Sequence, residues 1–299
     1  MQISSSSFYD TTAKRMGALS TKATELQTQI ATGKKVVTAA DDPMSAQTLA
    51  GLTRLSSDDV TYQANMKAVG ASLQQSDTTL ASVATQVQSA LELAVQAANG
   101  TLSAANRGTA ADQIDAISST LLNLANTRDA NGQPLFGGAD GAAAVTKTAN
   151  GSYTLADTAP GAVPISDTQS VQGSETASRI FTVGGTNAFA VLDALATALR
   201  TGTAGEATTA AKSAITSMTG ANDAVSVARG AVGARAASVE LQQGLSKAAQ
   251  TDRAELRSSI EDTDVSTAIV EMQKMMTALS ATQASFSKLS SLSLFDYLR

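Results

Sequence analysis

The sequence predicts a mainly α-helical protein with a small β-rich insert. The N- and C-terminal halves are expected to pair as a long antiparallel helical hairpin, a coiled-coil rod. Apolar residues recur at alternating three- and four-residue spacing near both ends of the chain, which is typical of helices that bury one stripe. The helical segments of the two halves also match in length. Glycine and proline concentrate in one central stretch, where turns and short strands are expected.

The composition argues against several kinds of functional site. The 299 residues include no His, Cys or Trp, which removes imidazole and thiolate metal ligands, His-dependent catalysis and disulfides. An enzyme is therefore not expected, and no residue is assigned to a cofactor or a metal. The net charge is −5 without a long basic run, so nucleic acid is not an expected partner. The sequence contains no run of about 18 apolar residues, so no membrane-spanning helix is predicted.

The pattern of apolar residues in the first half of the sequence predicts three helices. The first helix spans 8–32 and carries an apolar stripe at Met16, Leu19, Ala23, Leu26 and Ile30. The second runs from Pro43 to about residue 98, because Asp42 is a good N-cap and Pro43 suits the first helical position. A shorter third helix begins near residue 103. Its apolar face consists of Ile114, Ile117, Leu121, Leu122 and Leu124.

The second half begins with the insert and then returns to helix. Within 138–187, the segments SYTL and RIFTV predict short strands among turns. A helix follows from Phe189, and a long helix spans about 206–261 with apolar residues at Ile215, Met218, Val225, Val232, Val239 and Leu245. Asp264 is a suitable N-cap for the last helix. Its predicted apolar stripe is Val265, Ile269, Met272, Met276, Leu279, Gln283 and Phe286.

The matched lengths predict how the helices pair. The segments 43–98 and 206–261 each have 56 residues, or about 84 Å of helix. Pairing first with last, and second with second-last, predicts three domains. These are a terminal coiled-coil assembly domain (1–40 with 263–299), a helical rod domain (41–137 with 188–262) and a β-rich outer insert (138–187). The terminal helices bury too little alone, so their core is expected to be completed between subunits, through Met16, Leu19, Leu26, Ile30, Val265, Ile269, Met272, Met276, Leu279, Phe286, Leu292 and Leu294.

The stretch ATGKKVVTAADDP, residues 31–43, suggests both a phosphate loop and a metal site at first sight. A phosphate loop needs Gly five residues before its Gly-Lys pair and Ser or Thr after it, but Thr28 and Lys35 stand there. Adjacent Asp residues lack the spaced oxygen ligands of a Mg²⁺ or Ca²⁺ site. A hinge is the better interpretation. Its predicted residues are Gly33, Asp42 and Pro43, opposite Asp262 and Asp264.

Several segments resemble the flagellin superfamily. They are VTAADDPMSAQTLA, NGTLSAANR, LANTRDANGQPLFGG, SSIEDTDVSTAIVEM and LSLFDYLR, and the resemblance covers roughly 1–140 and 210–299. Filament flagellins usually follow the paired Asp with small residues, whereas this chain has Pro43. They also usually carry an Arg-Asn-Ala-Asn-Asp-Gly-type stretch near position 65, where this chain has QANMKAVGASLQQSD. Within the superfamily the chain is therefore more similar to the subunits that join hook to filament.

The resemblance implies a flagellin-like fold and a structural function. The chain would form a ring of subunits, with the terminal coiled coil lining the central channel. It would bind the first hook–filament junction protein on one side and flagellin on the other. An export chaperone would hold the C-terminal helix before secretion. The N-terminal segment lacks the apolar core of a secretory signal. The expected location is therefore the extracellular flagellum, reached by type III export without a cleaved signal peptide.

Two alternatives stay open at this point. One is a minor or divergent filament flagellin, which shares the general plan. The other is a secreted adhesin or glycan-binding protein that uses the insert 138–187. Asn99-Gly-Thr and Asn150-Gly-Ser match the glycosylation sequon, but without a secretory signal both are interpreted as turns.

Overall fold

The computed structural model describes residues 2–130, 132–138, 141–159 and 161–297, with side chains from 7 to 288 within those ranges. The described chain contains helices α1 (Gln2–Thr32), α2 (Pro43–Ala98), α3 (Ala104–Ala125), α4 (Ala177–Phe181), α5 (Ala188–Thr201), α6 (Ala204–Glu261) and α7 (Val265–Tyr297). The strands are β1 (Val145–Lys147), β2 (Tyr153–Leu155), β3 (Val163–Pro164), β4 (Ser170–Val171), β5 (Thr182–Val183) and β6 (Thr186–Asn187). The predicted fold class, mainly α with a small β-rich insert, is confirmed.

The chain divides into two compact units. The terminal unit comprises Met1–Asp58 and Ala248–Arg299, and the central unit comprises Asp59–Lys247. The predicted boundaries near residues 40, 137, 187 and 262 describe a finer, three-part division, which stays a prediction. In the part of the chain that the structure describes, no helix combines the length and the apolar character needed to cross a membrane.

In the central unit, α2 and α6 run antiparallel and share a core of apolar side chains. A Cβ atom added at Gly70 would lie 4.0 Å from Cγ1 of Val239, and Arg229 Nε lies 2.8 Å from Asp77 Oδ1. The buried stripe of α2 extends from Met66 to Ala94. On α6, Met218, Val225, Val232 and Val239 are buried, and Ser246 continues this seven-residue spacing. Leu245, also named among the apolar residues of this helix, is exposed.

The shorter helices of the central unit form a second antiparallel pair. Helix α3 starts at Ser103, whose hydroxyl accepts from Asn106 N, and α5 starts at Asn187, whose side chain accepts from Phe189 N. Arg200 at the end of α5 forms ion pairs with Asp112 (2.8 Å) and Asp115 of α3. The apolar face of α5 is buried at Phe189, Leu192, Leu195 and Leu199.

The insert consists of three antiparallel two-stranded hairpins, β1–β2, β3–β4 and β5–β6. They pair Val145 with Leu155, Val163 with Val171 and Thr182 with Asn187. The segment SYTL supplies β2, as predicted. The strand prediction for RIFTV was wrong over its first three residues, which belong to helix α4. Thr176 caps this helix by accepting from Arg179 N, and only Thr182–Val183 are strand.

Polar and aromatic contacts attach the insert to the helices of the central unit. Tyr62 of α2 donates to Asp167 (2.7 Å), and the side-chain amide of Asn65 donates to the carbonyl of Pro164 (2.8 Å). On α5, Asp193 accepts from Lys147 Nζ (2.7 Å) and from the hydroxyl of Tyr153 (3.0 Å). These contacts, together with a core that includes Ile165, make the insert part of the central unit.

A candidate assembly surface in the terminal unit

Helices α1 and α7 of the terminal unit lie antiparallel and in contact. At one end, the rings of Tyr9 and Phe286 meet edge to face with centroids 5.4 Å apart. At the other end, Lys34 and Asp262 form an antiparallel bridge, and Thr263 N donates to Gly33 O at 3.0 Å. The expected pairing of the first and last helices is therefore present.

The least exposed residues of each helix form its inner stripe. On α1 the inner stripe contains the predicted residues, with Ala23 and Leu26 buried and Met16, Leu19 and Ile30 partly buried. On α7 the buried or partly buried residues are Ala268, Met272, Met275, Leu279, Thr282 and Phe286. Both sets keep three- and four-residue spacing, which is the geometry of paired helices that pack along one stripe.

Helix α7 carries a second, outer stripe beside the inner one. Val265, Ile269 and Met276 were predicted on the same stripe as Met272 and Leu279, but they are 40%, 37% and 54% exposed. Val265, Ile269 and Met276 are separated by four and seven residues, so the outer stripe runs along one side of the helix, beside Met272 of the inner stripe. Leu292 and Leu294, also predicted as interface residues, lie outside the described side chains.

Two chain breaks meet at one end of the α1–α7 pair, and we call residues 33–42 with 261–264 the joint. Gly33 ends α1 with φ of +70°, a left-handed conformation that favours glycine. Beside it, Lys35 N donates to Glu261 O at 2.6 Å. Backbone hydrogen bonds from Lys35 and Thr263 thus connect the two predicted hinge segments directly.

Glu261 is the charged centre of the joint. Its side chain is largely buried and forms ion pairs with Lys34 and with Arg257, the latter at 2.7 Å. The ammonium of Lys34 and then the guanidinium of Arg257 lower the pKa of Glu261 by hydrogen bonding to its charged form. The ion pairs of Glu261 with Lys34 and Arg257 were not predicted from the sequence. The sequence signal that could have indicated this ion pairing is the basic run Gly-Lys-Lys at one break and the acidic run Glu-Asp-Thr-Asp at the other.

The predicted helix starts are built on two equivalent aspartates. Asp42 accepts from Met44 N (3.1 Å) and from Ser45 N (3.2 Å), next to Pro43. Hydrogen bonds from the Ser45 hydroxyl and then from the Ser45 amide lower the pKa of Asp42. Helix N-termini favour such charged acceptors, because their first amides have no partner within the helix.

Asp264 plays the same part at the start of α7. Its carboxylate accepts from Ser266 N (2.9 Å) and from the hydroxyl of Thr267 (2.8 Å), and the Thr267 hydroxyl is the main cause of its lowered pKa. Asp262 accepts from the hydroxyl of Ser258. The two aspartates predicted at this break therefore have different roles, one as a cap and one as part of the bridge to Lys34.

Asp41 holds the extended part of the joint. One carboxylate oxygen accepts from Val37 N (3.0 Å) and from Thr38 N (2.7 Å), and these backbone hydrogen bonds lower its pKa, Thr38 first. Both aspartates of the pair Asp41-Asp42 are thus engaged with backbone amides. Among the described side chains, no three acidic groups stand close enough together to hold a metal ion.

Comparison with known proteins supports the resemblance of this chain to the flagellin superfamily. Residues 3–140 match the family model of the bacterial flagellin N-terminal helical region. The chain is 27% identical to flagellar hook-associated protein 3 of Escherichia coli over 297 residues, which is 90% of this chain and 90% of that protein. The expected resemblance to the hook-associated branch of the superfamily is confirmed.

Solved structures show the same fold at lower identity. FlgL of Xanthomonas campestris superimposes with a TM-score of 0.61 at 17% identity, over 72% of this chain and 99% of that structure. The flagellar junction protein FlgL of Legionella pneumophila gives a TM-score of 0.57 at 13% identity, over 73% of this chain and 100% of that structure. These relatives are named as a flagellar hook-associated protein and a flagellar junction protein.

Proposed function

We propose that this chain is a structural subunit of the bacterial flagellum that joins hook to filament and assembles through α1 and α7. The observation that carries the proposal is the outer stripe of α7. Val265, Ile269 and Met276 form an apolar row on a helix whose neighbouring side already packs on α1. A helix with one covered and one open apolar stripe has room for a second helical partner.

A second copy of the chain is the occupant that we propose for this stripe. The relatives are hook-associated and junction proteins, and a ring of identical subunits places the same helix beside itself repeatedly. Helix α7 is rich in Ala and Ser, which lets neighbouring helices approach closely. The terminal helices would then complete between subunits the core that each lacks alone.

The further partners follow from the same proposal. The ring would contact the first hook–filament junction protein on the hook side and flagellin on the filament side. Before secretion, an export chaperone would cover α7, because an amphipathic helix can offer one apolar face to successive partners in a groove. The site of action would be the extracellular flagellum.

The test places a charge on the outer stripe. Ile269→Lys adds a lysine there, whereas Ala278→Lys adds one to an exposed residue nine positions, or about two and a half turns, further along α7. We expect Ile269→Lys to abolish filament growth on hooks and swimming in a strain that lacks the native subunit, while Ala278→Lys supports both. Equal assembly by the two full-length variants would contradict the role of the stripe.

A divergent filament flagellin is the second candidate, because the match of residues 3–140 is to the flagellin N-terminal region. Electron microscopy of the purified chain under polymerising conditions separates the two. Long filaments formed by this chain alone would contradict the junction function. Short caps on hook ends that then recruit flagellin would support it.

A further inference from the structure

The sulfur chemistry of this chain is confined to one residue type. The sequence contains eight Met but no Cys, and it lacks His and Trp as well. A peroxide therefore has thioether sulfur as its main target, without a competing thiol. Which methionines react is then decided by exposure.

The methionines differ sharply in exposure. Met66 and Met218 are 0% exposed in the core of the central unit, whereas Met44 is 80% and Met276 is 54% exposed. Met275, the residue next to Met276, is partly buried on the inner stripe against α1. Adjacent methionines thus point to different environments on one helix, which provides an internal control for any reaction at this surface.

We propose that Met276 is an oxidation site through which a peroxide controls the apolar character of the outer stripe. The lone pair of the thioether sulfur attacks one peroxide oxygen, the O–O bond breaks, and a sulfoxide forms. Hydrogen peroxide leaves its second oxygen as water, so sulfur loses two electrons and the peroxide gains them. Methionine sulfoxide reductases reverse the modification.

Oxidation of Met276 would change the outer stripe, because Met276 lies on it with Val265 and Ile269. A sulfoxide adds a strong hydrogen-bond acceptor to an apolar row, and its burial against a partner without a donor is unfavourable. This consequence rests on the proposed function, because it requires that another helix packs on the outer stripe. Met44, in the first turn of α2, reacts as an exposed residue outside that stripe.

The first measurement is the order of reaction in the soluble, full-length chain. The chain is treated with hydrogen peroxide for increasing times and digested, and fragment-ion sequencing separates Met275 from Met276. We expect Met44 and Met276 to gain oxygen at least about tenfold faster than Met66 and Met218, with Met275 between them. Oxidation of Met276 no faster than Met66 and Met218 would overturn the proposal.

The second measurement links oxidation to assembly on hooks. Wild-type chain, Met276→Leu and Met44→Leu are compared before treatment and at the time when Met276 has reacted and Met275 has not. Leucine has similar volume and resists oxidation. We expect treated wild type and Met44→Leu to lose assembly several-fold, and Met276→Leu to keep it. An equal loss of assembly in Met276→Leu would overturn the proposal that oxidation of Met276 controls the outer stripe.

The two measurements separate the failure of this inference from that of the proposed function. If untreated wild-type chain does not assemble on hooks, the proposed function fails. In that case, the order of oxidation among Met276, Met66 and Met218 tests only whether Met276 is an oxidation site.

Discussion

The central and terminal units use the same secondary structure but differ in how much they bury. The largest fully buried side chains among the described residues all lie in the central unit, and they include Phe136, Phe181 and Phe189. Among the terminal unit's side chains from 7 to 58 and from 248 to 288, the buried apolar ones are Ala23, Leu26, Val36 and Ala268. Two units with similar helix content can therefore differ in how much apolar surface they bury within one chain.

The difference indicates where each unit obtains its stability. Burial of apolar surface contributes about 25 cal/mol per Å², and long helices depend on such packing more than on helix propensity. The central unit has this contribution within one chain. The terminal unit depends on caps, the joint and one inner stripe, so we expect its helices to open more readily until a partner covers the outer stripe.

A large expected effect comes from a buried ion pair in the central unit. Glu175 is buried and pairs with Arg235 of α6 and with Arg179 at 3.0 Å. Arg235→Ala leaves the buried carboxylate of Glu175 with Arg179 alone, whose side chain is mostly exposed, and we expect this to cost about 3 kcal/mol in denaturant unfolding. In the terminal unit, Lys34→Ala leaves Glu261 with Arg257 and should cost less than about 1 kcal/mol. Equal costs would contradict the contrast between the units.

A matched leucine pair compares the apolar packing of the two units. Leu192→Ala opens a cavity at a fully buried position and should cost about 2–5 kcal/mol. Leu279→Ala, on the partly buried inner stripe of α7, should change the main urea transition by less than about 1 kcal/mol. A larger effect at Leu279 would show that the terminal helices unfold together with the central core.

Acid should affect the terminal unit first. The pKa values of Asp42, Asp264 and Glu261 are lowered in the folded chain, because hydrogen bonds and cations favour their charged forms. A lowered pKa stabilises the fold above the unfolded value of about 4, and this contribution is lost as pH falls through the folded value.

Far-UV circular dichroism during acid titration, with peptide-level hydrogen exchange, should show α7 opening before the central helices. Glu261→Gln removes one of the three titrations and should make the pH dependence of α7 shallower. Opening of both units at the same pH would contradict this prediction.

The smallest expected effect is local to the joint. Asp41→Ala removes the acceptor of Val37 N and Thr38 N, which should loosen the segment after Lys34 and Lys35. Limited trypsin digestion followed by fragment masses should show faster cleavage there, without a change in the main unfolding transition. Glu25→Ala is the matched control, because it removes an acidic group engaged with exposed Lys22. Similar acceleration by both variants would exclude a specific role of Asp41.

The helix plan could be predicted from the sequence because its signals are local. Gly33, Asp42-Pro43 and Asp264 mark helix ends by their own chemistry, and the observed bounds of α2 and α7 begin where these residues predict. The pairing of α1 with α7 followed from matched lengths. The expected set of partners and the hinge role of the joint stay predictions.

The side of α7 that faces α1 could not be predicted from periodicity. Residues 265, 269, 272 and 276 and residues 268, 272, 275 and 279 both satisfy heptad spacing and share Met272. Val265, Ile269 and Met276, which belong only to the more apolar set, are the exposed ones. Only the position of α1 distinguishes them. In the insert, Ile180 and Phe181 favour strand by composition, but the Thr176 cap and burial place them in a helix.

Hydrogen exchange of the full-length chain, alone and assembled on hooks with flagellin, tests the central claim most directly. We expect amides of α1 and α7 to exchange fast in the isolated chain and slowly after assembly, with those around Ile269 and Met276 gaining the most protection. Amides in the central core, such as those near Leu80 and Leu192, should be slow in both states. Slow exchange of α7 in the isolated chain, or no added protection after assembly, would contradict a core that is completed between subunits.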